Sequence, residues 1–160
     1  MATKTVNVAR RFDSLEQEAF LGLWRTYDRL RVLEDQLFER YDLTPQQYNA
    51  MRLLRRDHPE PIRTLDLSAR LVSRAPDITR LLDKLEQRGF IARDRPVDNR
   101  RVVRVSITRA GIDLLDKLRE PLHDCHVRQL GHLPRKQLKA LVAMLQAARR
   151  PHEDPDSPWC

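Results

Sequence analysis

Residues 67–111 read LSARLVSRAPDITRLLDKLEQRGFIARDRPVDNRRVVRVSITRAG, and this stretch decides the fold. Leu67 and Leu71 lie on one face of a short helix that starts at Thr64, with Asp66 in its first turn. A tight turn at Val72-Ser73 leads to a second helix, expected over 74–88, with Ser73 as its cap and Pro76 in its first turn. Ile78, Leu81, Leu82 and Leu85 share its inner face, and Gly89 ends it. The next residues alternate instead. Ile91, then Val103, Val105 and Ile107 against Arg100, Arg104 and Ser106, predict strands over 90–95 and 100–107, with Pro96-Val97-Asp98-Asn99 as the turn. Two helices joined by a turn and followed at once by a β-hairpin make a winged helix-turn-helix. In such a unit the second helix fits the major groove, about 12 Å wide, and reads base edges from its N-terminal turns.

Outward from this core the chain is helical. Thr44-Pro45-Gln46-Gln47 is a helix start, with Thr44 able to cap, Pro45 in the first position and Gln47 able to close a capping box. Tyr48, Met51, Leu53 and Leu54 form the inner face, and Asp57-His58-Pro59-Glu60-Pro61 stops the helix. Upstream, Phe20, Leu23, Trp24, Tyr27, Leu30, Leu37 and Tyr41 recur at helical spacing over 14–41. Downstream, Thr108 caps a helix carrying Leu114, Leu115 and Leu118, which Pro121 is expected to bend or break. Leu133-Pro134 opens a last helix with Leu138, Leu141, Val142 and Leu145 expected inside. The expected fold is mainly α with a small β-hairpin wing. Residues 43–108 form the winged helix-turn-helix lobe, and residues 14–41 and 109–149 form a helical dimerisation region. The ends, 1–13 and 150–160, are expected to be disordered. The outer helices carry more apolar surface than a winged helix of this size can cover, and a two-fold dimer buries such surface.

Composition narrows the function. The 160 residues carry a net charge of +7, and 41% are hydrophobic, a soluble and folded balance. Residues 73–104 alone hold a net +4, and 25 of the 30 basic residues are Arg, the side chain suited to bidentate phosphate and guanine contacts. Charge and element order thus converge on one segment. Only four Gly are present, with no GxGxxG and no GxxxxGK[ST], so nucleotide-binding enzymes of those two kinds are nearly excluded. No nucleophile, base and orienter fall into a motif, so no catalysis and no cofactor are expected. The leading residues MATKTVNVARRF lack the apolar core of a signal peptide, no run approaches the ~18 residues of a membrane span, and two Cys form no disulfide framework. A cytoplasmic protein with no membrane partner is expected.

The chain resembles the MarR (multiple-antibiotic-resistance regulator) family of bacterial winged-helix transcription factors, from about Leu21 to Leu145. DITRLLDKLEQRGFIAR resembles that family's recognition helix and first wing strand, and NRRVVRVSIT its DxRxxxVxLT wing signature. In strict register the signature Asp falls on Asn99 and its Arg on Arg101, with Asp98 one position early. Asn99 can hydrogen-bond there, or Asp98 can substitute. The resemblance implies a homodimer that presents two winged helices to a pseudo-palindromic double-stranded DNA site, most often as a ligand-released repressor.

The candidate DNA-binding residues are Ser73, Arg74, Thr79, Arg80 and Lys84 on the second helix, and Arg95, Asn99, Arg100 and Arg101 on the wing. Arg can take guanine O6 and N7 together, and Thr can meet a thymine methyl or a phosphate. An Arg at the wing tip can enter a narrow A·T-rich minor groove. Each of these residues also suits plain solvation or phosphate contact. Ser73 suits a helix cap, and Asp77 a first-turn dipole partner. Arg93 and Arg104 are expected to meet the DNA backbone or solvent. Trp24, Tyr27, Tyr48 and Met51 can line an effector pocket or simply belong to the core. The resemblance implies a small aromatic or phenolic effector there, though not urate, since the urate-responsive branch has Asp where this chain has Asn49. His123 and His126 lie one turn apart and are weak zinc candidates, because two ligands do not make a site. Neither Cys125 nor Cys160 has a readable activating neighbour. The alternatives to a ligand-released repressor are a zinc- or redox-responsive sensor of the same fold and a non-specific architectural DNA-binding protein.

Overall fold

Thr44 sets the first fixed point of the lobe. Its hydroxyl accepts from the Gln47 N–H at 3.1 Å while the Gln47 side chain accepts from the Thr44 N–H at 3.0 Å, so both halves of the capping box are made. The helix that follows, α2 (Pro45–Asp57), buries Met51, Leu53 and Leu54, as its spacing predicts. A computed structural model describes residues 12–73 and 77–159. Around α2 the elements run α1 (Leu15–Glu39), α2, β1 (Ile62–Arg63), α3 (Thr64–Arg70), α4 (Ile78–Gln87), β2 (Ile91–Asp94), β3 (Arg104–Ile107), α5 (Arg109–Leu130) and α6 (Arg135–Arg149), followed by a 3₁₀ turn at Arg150–His152. The three strands form one antiparallel sheet in the order β1-β3-β2.

The core sits where α2, α3, α4 and the sheet meet the ends of α1 and α5. Phe38, Met51, Leu54, Leu67, Leu82, Leu85, Ile91, Val105 and Leu118 are its fully buried large side chains. In the hairpin, Ile91 pairs with Ile107 and Asp94 with Arg104, so the alternating row Ile91, Val105, Ile107 faces inward. Both strands are shorter than the sequence suggests, and residues 95–103 form the wing loop. Pro96 cannot donate to a ladder, and its carbonyl instead accepts from the Asn99 N–H at 3.2 Å. Strand β1 has no sequence signal, since two residues directly after Pro61 show no alternation. It forms because Ile62 fills a core position opposite Val105.

Four other expectations are corrected. The recognition helix α4 starts at Ile78, not at residue 74, and its cap is Asp77, whose carboxylate accepts from the Arg80 N–H at 2.9 Å. Asp caps as well as Ser, and it stands beyond Pro76, so Ser73 is an exposed residue of the α3–α4 connection. Pro121 neither breaks nor ends α5. An internal proline costs about 3 kcal/mol. The row Leu118, Leu122, Cys125 is buried on both sides of it, at about 1.5–3 kcal/mol per large apolar side chain. The α6 residues Leu138, Leu141, Val142 and Leu145 are not inside, because no residue of α6 is buried within the chain. Residues 150–159 make local contacts where disorder is expected. Arg149 pairs with Glu153 at 3.2 Å and lies 5.5 Å over the Trp159 ring, and Ser157 donates to Glu153 at 3.0 Å.

Candidate nucleic-acid interface

Helix α4 presents Thr79, Arg80 and Lys84 to solvent because Leu82 and Leu85 hold its opposite face in the core. Its end is fixed by a Schellman motif. Phe90 N–H bonds the Leu85 carbonyl at 3.0 Å, Gly89 N–H bonds the Glu86 carbonyl at 2.9 Å, and Gly89 takes the left-handed φ of 75° that this closure needs. The chain therefore turns directly from the recognition helix into the wing.

The wing is built by side chains that the sequence reading aims at DNA or solvent. Arg93 turns back onto α4, donating to Glu86 from Nε at 3.0 Å and from Nη2 at 2.6 Å, and to Asp83 at 2.5 Å. Its own N–H also bonds Glu86 at 3.1 Å. These bonds hold the Glu86 carboxyl below the usual carboxylate range and push Arg93 further up. Arg104 reaches across the hairpin to Asp94, its register partner, which likewise raises the guanidinium pKa. Both arginines are thus internal braces. The signal was present in the sequence: acidic residues stand one helical turn apart at 83 and 86, and Asp94 faces Arg104 across a short hairpin.

At the tip, Arg95 donates to the Arg100 carbonyl at 2.8 Å, closing the loop. Asn99 accepts from the Arg101 N–H at 3.2 Å, so it shapes the turn through its amide. Of the alternatives left open there, Asn99 forms this bond, and the charged pair of the wing sits at its base as Asp94–Arg104. Arg100 and Arg101 are exposed. Thr79 from α4 and Arg95 and Arg101 from the wing line one hollow of about 870 Å³, together with Arg63 and Leu65 from the start of α3. The structure thus brings Thr79, Arg95 and Arg101 onto one concave face, whereas Ser73, Arg80, Lys84, Asn99 and Arg100 do not line it. Arg74 lies outside the described residues.

The other candidates do not assemble in the same way. Trp24 and Tyr27 are about two-thirds exposed on α1, whereas Met51 is wholly buried and Tyr48 stacks on Phe38 at 5.0 Å. Burial pushes the Tyr48 phenol up. Asn49 is buried and accepts from Arg52 at 3.0 Å. His126 bonds Gln129 at 2.9 Å, and Gln129 donates at 2.9 Å to the Leu30 carbonyl, tying α5 to α1. His123 is exposed, and among the described residues no group of three metal-ligating side chains occurs. Cys125 is buried, and desolvation followed by the Glu34 charge pushes its thiol up, away from thiolate chemistry. Cys160 lies outside the described residues. Among the described residues no helix is long and apolar enough to cross a membrane.

A short helix-turn-helix, a basic concave face and a braced wing define a winged-helix DNA-binding protein. The MarR family model matches residues 43–103, the lobe up to the start of β3. A MarR transcription factor from Planctomyces limnophilus, known as a crystal structure, is 52% identical, covers 86% of this chain and 99% of its own, and superposes with a TM-score of 0.68. The chain belongs to the MarR family, whose members regulate transcription and are not enzymes. The homoprotocatechuate degradative operon repressor of Escherichia coli is 22% identical over 69% of this chain and 73% of its own. A mutant MarR from E. coli, solved in complex with operator DNA, is 21% identical, covers 84% of this chain and 98% of its own, and has a TM-score of 0.72. That likeness shows the shared fold.

Proposed function

We propose that this protein is a homodimeric, ligand-released repressor that binds a pseudo-palindromic operator in the bacterial cytoplasm. One observation carries the reading: Thr79 of the recognition helix and Arg95 and Arg101 of the wing line one concave face. Arg80 and Lys84 stand exposed on the same helix. The helix N-terminus offers Thr79 and Arg80 to base edges, and the tip arginines suit the adjacent minor groove. The dimeric part of the reading is supported by the arms. Phe20, Leu23, Trp24 and Tyr27 on α1 and Val142, Met144 and Leu145 on α6 are exposed apolar side chains. A second copy is the occupant that would bury them and pair the reading heads one DNA turn apart.

Release follows if a ligand prefers a dimer whose heads are misplaced, because affinity then falls by the ligand's differential binding. One E. coli relative is the repressor of a homoprotocatechuate degradative operon, which supports phenolic acids as the first effectors to screen. The test selects bound fragments from random duplexes with the purified protein. A selected inverted repeat, bound about 10³-fold or more above random DNA, is the expected result. Equal affinity for all duplexes would instead make it an architectural protein.

A further inference from the structure

We propose that Arg88 is a positioning residue: it locks the recognition helix to the end of α1 and so sets the separation and angle of the two reading heads. The proposal rests on the dimeric reading above. Arg88 is the C-cap residue of α4. Its side chain leaves that helix and crosses to the turn between α1 and α2. There Nη1 donates to the Asp42 carbonyl and Nη2 to the Tyr41 carbonyl, the latter at 3.1 Å. These two carbonyls follow the last turn of α1, where helical partners run out. Asp42 holds a left-handed φ of 51° in the same turn, which closes through the Leu43 N–H on the Phe38 carbonyl at 3.0 Å. The guanidinium also lies 4.8 Å over the Phe90 ring. A planar fork meeting two acceptors above an aromatic face is a role suited to arginine.

The two residues after Arg88 make the matching connection to α5. Thr108 Oγ1 donates to the Gly89 carbonyl at 2.6 Å, and the Thr108 N–H bonds the Phe90 carbonyl at 3.0 Å. Thr108 in turn caps α5. Gly111 then passes so close that a Cβ there would stand 2.3 Å from the Phe90 carbonyl oxygen. Residues 88–90 therefore hold both arms, α1 through the Arg88 side chain and α5 through main-chain bonds. They lie at the far end of α4 from Thr79 and Arg80. A helix of ten residues is about 15 Å long, so a small tilt at the clamped end displaces the reading end.

The experiment uses the full chain and duplexes that keep the selected half-sites but vary their spacing by one base pair either way. Each base pair changes the phase of the half-sites by about 35°. Wild type is expected to discriminate among the spacings. Arg88→Gln is expected to lower that discrimination by about fivefold while leaving the ranking of single-base changes inside a half-site intact. Arg88→Lys, which keeps a donor for one carbonyl, is expected to fall between, and it carries the test if Arg88→Gln does not fold. Unchanged discrimination in a folded variant overturns the proposal, and so does an equal loss of affinity at every spacing. A wild type with no spacing preference overturns the dimeric reading itself, a distinguishable failure.

Discussion

The lobe and the arms use the same apolar residue types to opposite effect. Met51, Leu67 and Leu85 in the lobe are wholly buried, while Phe20, Trp24 and Tyr27 on α1 are about two-thirds exposed and α6 buries nothing. A monomeric chain rarely leaves so many large apolar side chains open along its helices. The difference teaches that the lobe closes its own core, whereas these faces of the arms stay open within one chain. On the proposed dimeric reading function divides along the same line: the lobe carries the chemistry of recognition, and the arms carry its geometry.

The most damaging way to break this comparison is to charge the arms. Leu23→Glu together with Val142→Glu is expected to give a monomer with an intact lobe. Specific operator affinity should fall by about 100-fold or more, because the second head no longer binds as part of one molecule. Sedimentation and a binding titration check it. A double variant that stays dimeric and binds like wild type would sink the assignment of those faces. Next in size is Met51→Ala, expected to cost about 2–5 kcal/mol of unfolding free energy through the cavity it opens. Trp24→Ala is its counterpart in the arm. Its loss should show chiefly as a thermal midpoint that depends more steeply on protein concentration, the mark of stability drawn from association.

Legibility in the sequence follows the same division. Local chemistry was readable: the Thr44–Gln47 box, the inner face of α4, Gly89 at its end and Thr108 at the start of α5 all lie where the sequence places them. What escaped the sequence depends on tertiary neighbours. A two-residue strand is visible only through its partner, and Pro121 is tolerated only because its neighbours are buried. The sequence carries the acids that brace Arg93 and Arg104, but only the hairpin register shows that Glu86 and Asp94 claim them. The apolar row of α6 reads as inside because periodicity reports a face, not what covers it.

That last distinction sorts the arginines of the lobe. Arg80→Ala is expected to cost about 1–3 kcal/mol and to relax preference at one base pair. Arg101→Ala should weaken binding to all sequences and reduce the salt slope by about one unit. Arg93→Ala, by contrast, removes a brace and not a phosphate contact, so the salt slope should hold while the wing loosens. Titrations from low to moderate salt separate the three. An Arg93 variant with a reduced slope would show that the brace opens on DNA.

The smallest expected effect is the acid response of that brace. Glu86 has its carboxyl held down, first by the Arg93 side-chain bond, so its contribution is present above the ordinary carboxylate pKa of about 4.3. It is lost as pH falls through the lowered folded value, because the protonated acid no longer holds the guanidinium. Solvent screening keeps the effect modest, since both partners are partly exposed. The opening equilibrium of β2, taken from amide exchange corrected for its intrinsic pH dependence and followed downward from neutral pH, should therefore rise in wild type only once Glu86 protonates. In Glu86→Gln it should already be raised at neutral pH and change less with acid. Equal acid profiles in the two proteins would mean that the wing is held to α4 by its apolar contacts, and that the lobe, like the arms, takes its geometry from buried surface.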